Sequence, residues 1–120
     1  MERERTNTPL QALVTLNDVQ FVEASRRLAE VAIGERGDDA GRLDAIALRV
    51  LSRRLAAAEQ EAMKPVVRDL RGHYAADRKA SKALVALGAS VANASIPAAE
   101  LAAWTMVGSL FLNLDEALNK

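Results

Sequence analysis

Apolar residues recur along this chain at the three- and four-residue spacing of helix faces, broken at a few places by residues that start or stop helices. Thr8-Pro9-Leu10-Gln11 sets a capping hydroxyl before a proline and places a glutamine three residues on, so a helix is expected to begin there with Leu10, Leu13 and Val14 as its apolar face. Asn17-Asp18 interrupts that run. Phe21, Ala24, Leu28, Val31 and Ala32 then predict a second helix, or a bend in a long one, that stops at Gly34 and Gly37 because glycine readily turns left-handed. Asp38-Asp39 caps the next segment, where Leu43, Ile46, Ala47, Val50 and Leu51 form an amphipathic stripe whose polar face carries Arg42, Asp44, Arg49 and Arg53.

Between Ala56 and Asp77 the stripe Met63, Val66, Val67, Leu70 and Tyr74 contains Pro65, which predicts a kink or a late start. Leu84, Leu87 and Val91 continue as a short helix, and the small polar residues Asn93-Ala94-Ser95 read as a loop. Pro97 and Glu100 mark the first turn of the last helix, which carries Trp104, Met106, Val107, Leu110, Phe111, Leu112 and Leu114. A helix with so little polar surface belongs at the centre of a fold. No strand-like alternation is sustained anywhere, so the expected architecture is all-α: one domain over residues 1–120, a compact bundle of four to six helices with the C-terminal helix central.

Composition narrows the partners rather than the fold. Half of the 120 residues are hydrophobic, which suits one globular domain. The 16 basic and 16 acidic residues cancel, leaving no overall field to attract nucleic acid or an anionic membrane. The charge-free stretch around Trp104, Leu101 to Asn113, is shorter than the roughly 20 residues of a membrane span. The absence of cysteine removes disulfides, thiolate metal sites and thiol nucleophiles. No cofactor is expected.

The two ends carry the most distinctive wording. The run from Arg3-Glu4-Arg5-Thr6-Asn7 through Leu13, continued by Leu16-Asn17-Asp18 and Gln20-Phe21-Val22-Glu23-Ala24, resembles the opening of the Planctomycete-specific C-terminal domain family, DUF1553. Glu100-Leu101-Ala102-Ala103-Trp104-Thr105, with Leu112-Asn113-Leu114-Asp115-Glu116, resembles its ending. The resemblance is weak between about Gly34 and Ser95. It implies the C-terminal part of a larger bacterial protein, exported to the periplasm or cell envelope, that packs with upstream domains and is linked to polysaccharide use. The family often carries a cytochrome c-like domain upstream, but no haem motif occurs in this chain. Val19 stands where relatives often have proline, and Arg54-Leu55-Ala56-Ala57 where they have a proline-rich capped turn.

The candidate polar cluster joins those ends: Arg3, Arg5 and Asn7 with Asn113, Asp115 and Glu116. The structural expectation is a clasp between the leader and the last helix, since buried polar groups need partners. The functional alternative is one wall of an active site shared with an upstream domain, with Asp115 or Glu116 as acid or base and Arg5 holding an anion. Asp69, His73 and Asp77 fall one turn apart, but carboxylates and a single histidine at that spacing are a poor metal signal. Arg26-Arg27 and Arg53-Arg54 are expected on solvated or salt-bridged faces, and Thr15, Ser25, Ser52 and Ser81 lack the surroundings that activate a hydroxyl. The balance of these readings is a non-catalytic helical domain without catalytic, cofactor or metal residues, partnered by other domains of its own protein or by a second copy through an exposed face.

Overall fold

The computed structural model describes residues 19–87 and 95–118, with side chains described from Phe21 to Leu114 within those ranges. Five helices run through them: α1 (Val19–Glu35), α2 (Asp39–Val50), α3 (Ala57–Ala76), α4 (Arg78–Val85) and α5 (Ala98–Leu118). The fold is all-α, and α5 packs against each of the other four. Its buried run explains why. Every residue from Leu101 to Ser109 is buried, and Trp104 has no exposed surface. Around it stand Val22, Ala29 and Ala32 of α1, Leu43 and Ile46 of α2, Val67, Leu70 and Tyr74 of α3, and Leu84 of α4. Each large apolar side chain so covered contributes about 1.5–3 kcal/mol before chain entropy is set against it.

Small residues let α1 and α5 approach closely. A Cβ on Gly108 would lie 3.0 Å from the Ser25 carbonyl oxygen, tighter than most such contacts. The buried hydroxyls of this region are satisfied within their own helices: Ser25 donates to the Phe21 carbonyl, Thr105 to Leu101 and Ser109 to Met106.

The helix ends follow the polar punctuation, with two differences of mechanism. Asp38 caps α2 by accepting the Gly41 amide at 3.1 Å. Asp77 both ends α3 and caps α4, accepting the Ala80 amide at 3.0 Å. By contrast, α1 ends at Glu35 without a left-handed glycine, for neither Gly34 nor Gly37 takes that conformation. The left-handed turn appears instead at Ser52, with φ 64°, just beyond the C-cap Leu51 of α2. A serine pays a steric penalty there that glycine would not.

Nor does Pro65 delay its helix: α3 starts at Ala57 and continues through it. The Arg54-Leu55-Ala56-Ala57 stretch lacks a capping side chain of its own. Glu59 supplies one by reaching back to accept the Ala56 amide at 2.8 Å, and Asp44 accepts the Leu55 amide at 3.0 Å. Arg53 then clamps Glu59 through both guanidinium nitrogens, and these bonds, with the Ala56 amide, hold the Glu59 carboxyl down at about 2.

Candidate functional site

The densest polar arrangement joins α2, α3 and α5 beside the buried indole. Asp39 opens α2, Arg71 lies in the last half of α3, and Glu100 stands in the first turn of α5. Arg71 grips Asp39 through two nitrogens, at 3.1 and 2.8 Å, and Glu100 through two more bonds at 3.0 and 2.9 Å. Arg42 adds a 2.8 Å bond to Glu100, and its guanidinium carbon lies 5.6 Å from the centre of the Trp104 ring. The Trp104 indole nitrogen donates to the same carboxylate at 3.0 Å.

These contacts decide what the cluster can do chemically. Glu100 accepts four hydrogen bonds, three of them on Oε2, which is about all that a carboxylate can take. Burial pushes its carboxyl upward, but the hydrogen bonds and charge of Arg71, with Trp104 and Arg42, hold it below its ordinary value. Asp39 is likewise held down, chiefly by its hydrogen bonds to Arg71. Glu100 is nearly filled, while Asp39 keeps acceptor capacity beyond its two bonds to Arg71. The arrangement ties three helices around Trp104.

A second tie joins α1 to the end of α4. Arg26 is 1% exposed and donates to the Val85 and Leu87 carbonyls at 2.9 and 3.0 Å, the end of α4, where unpaired carbonyls favour a cation. Its Nε stands 3.7 Å from Glu30 one turn on. Of the pair expected on solvated or salt-bridged faces, Arg27 is exposed and Arg26 is buried with Glu30 beside it. A signal was present in the spacing: Val22, Arg26 and Ala29 fall on one face, and both apolar members are buried. Of the other basic pair, Arg53 is bound to Glu59 and Arg54 is exposed.

The polar cluster expected from the two ends falls mostly outside the described residues. Arg3, Arg5 and Asn7 lie outside them, as do the side chains of Asp115 and Glu116, whose backbone belongs to α5; Asn113 is half-buried on that helix. Asp69, His73 and Asp77 do not gather: among the described residues no three such ligands come close enough to hold a metal. His73 is exposed and meets the Tyr74 ring edge-on, with centroids 4.7 Å apart. Ser81 is buried and donates to the Tyr74 carbonyl at 2.7 Å, a structural use of the hydroxyl. Among the described residues no helix is long and apolar enough to cross a membrane.

The surface feature that remains is a groove of about 370 Å³. Ala24, Leu28 and Val31 of α1, Val50 of α2 and Leu112 of α5 line it, joined by Arg27 and Arg49. Val31 is 41% exposed, large for a valine in a helix whose opposite face is core. Arg49 is engaged by Glu35 through two bonds, at 3.1 and 2.6 Å.

Residues 1–67 match the family model described as PSD1, protein of unknown function (DUF1553). That is more than half of the 120 residues. No curated protein and no solved structure matches the chain.

Proposed function

We propose that this chain, which belongs to the DUF1553 family of unknown function, is a non-catalytic packing domain that seats a neighbouring domain of a larger protein in the groove between α1, α2 and α5. The observation that carries this reading is the apolar lining of that groove, where Ala24 and Val31 are exposed and Leu28, Val50 and Leu112 half-buried. Contiguous apolar surface of this kind is what an interdomain contact covers. The way acidic groups are used supports the same reading. Asp38 and Asp77 cap helices, Asp44 and Glu59 hold the α2–α3 connection, Asp39 is bound to Arg71, and Glu100 is taken up by Arg71, Arg42 and Trp104. The resemblance of the chain ends to a C-terminal family domain supports an exported bacterial parent in which the neighbour lies upstream.

Val31→Cys provides the test, because the chain has no cysteine of its own. Maleimide labelling of Cys at this position, read by peptide mass, is expected to be fast in the 120-residue chain and at least about tenfold slower within the full-length parent, as burial of an apolar contact requires. Equal rates in both overturn the proposal. Light scattering on the isolated chain separates the remaining occupant: a stable dimer with slow labelling assigns the groove to a second copy instead.

A further inference from the structure

The charges of this chain are balanced in number but not in use. Arg42 and Arg71 are bound to Glu100, Arg49 to Glu35, Arg53 to Glu59 and Lys64 to Glu61. Helix α4 differs. Arg78, Lys79 and Lys82 are all exposed, and no carboxylate of the described residues pairs with them. The nearest acidic residue in sequence, Asp77, is occupied by the Ala80 amide. No aspartate or glutamate follows until Glu100.

Two of these cations stand where local stability disfavours them. Arg78 and Lys79 are the first two residues of α4, whose first turn holds no acidic residue. Positive charge at that end opposes the helix dipole. A placement that costs local stability without an internal partner is expected where a surface has another use. The face is also held rigidly from behind. Leu84 and Ser81 are buried, Ser81 bonds to the Tyr74 carbonyl, and Arg26 grips the Val85 and Leu87 carbonyls. Along its outside, Lys79, Lys82, Ala83 and Ala86 follow at helical spacing, all exposed. The alanines leave room for another backbone to come close.

We infer that the exposed face of α4 docks an acidic helical segment of a partner protein, its carboxylates one turn apart to meet Lys79, Lys82 and Arg78. Three cations within about two turns suit a short run of carboxylates. They are fewer than the 4–8 basic residues of a typical anionic-membrane patch, and the face has no exposed aromatic ring on which bases would stack. This surface lies on a helix that contributes nothing to the groove lining, so the two proposals stand or fall separately.

The test uses a labelled alanine peptide of about 20 residues with glutamate at every fourth position, long enough to be helical, titrated by fluorescence anisotropy at low salt. Binding is expected, weakening as salt is raised. Lys82→Glu is expected to raise the Kd at least about fivefold, while Arg54→Glu, an equal change of net charge at an exposed site in the α2–α3 connection, changes it less than about twofold. Thermal melts of both variants confirm that the fold is kept. The inference is overturned if the peptide fails to bind, if the two variants weaken it equally, or if a single-stranded oligonucleotide or phosphatidylserine vesicles bind better at the same salt.

Discussion

Arg26 and Arg71 are the same residue type in two opposite settings. Arg26 is 1% exposed and addresses the carbonyls that end α4; Arg71 is 39% exposed and addresses two carboxylates from two other helices. Removing a buried cation leaves its acceptors desolvated with nothing in return, whereas water can replace much of what a half-exposed cation supplies. The difference predicts that the tie with fewer formal charges matters more.

Arg26→Met carries the largest expected effect, a loss of about 2–4 kcal/mol in urea denaturation, because the methionine fills the stem but leaves the Val85 and Leu87 carbonyls without their donor. Glu100→Gln keeps the shape but removes the charge between Arg71 and Arg42. It should cost less, about 1–2 kcal/mol, after allowance for solvent screening. If Glu100→Gln destabilises more than Arg26→Met, burial is not what separates the two ties.

Acid sharpens the contrast further. Asp39 and Glu100 have carboxyls held below their ordinary values of 3.8 and 4.5 in the folded chain. Their contribution is therefore complete above those values and is lost as pH falls through the lower folded ones. Melting temperature followed from pH 7 downward should fall less steeply in Asp39→Asn and Glu100→Gln than in the parent chain. Parallel curves would show that the cluster does not sense acid. The smallest effect, and the only expected gain, lies away from both ties: Ser52→Gly removes the left-handed strain at the end of α2 and should stabilise by about 0.5–1 kcal/mol, with a rise in melting temperature as its measure.

What could be read from the residues was whatever is local. Asp38 announces a helix start by type and position, and the uncharged run around Trp104 announces the core, because caps and periodicity act within one or two turns. The ties were not local. Glu100 meets Arg71 across 29 positions and Arg42 across 58, and Arg26 meets Val85 across 59, so no window along the chain contains both partners. Glu100 reads as a dipole partner and Arg42 as a solvated residue until the helices are packed. Ser52 escaped for another reason: nothing in a serine marks it for a conformation that glycine adopts more readily.

Gly108 gives experimenters a lever on the groove from beneath. The crossing of α1 over α5 is held narrow by a missing methyl group, since a Cβ there would press on the Ser25 carbonyl and lie 3.6 Å from Leu28, which lines the groove. Gly108→Ala would wedge the two helices apart from inside the protein and reshape the floor of the groove, without altering any residue that lines it.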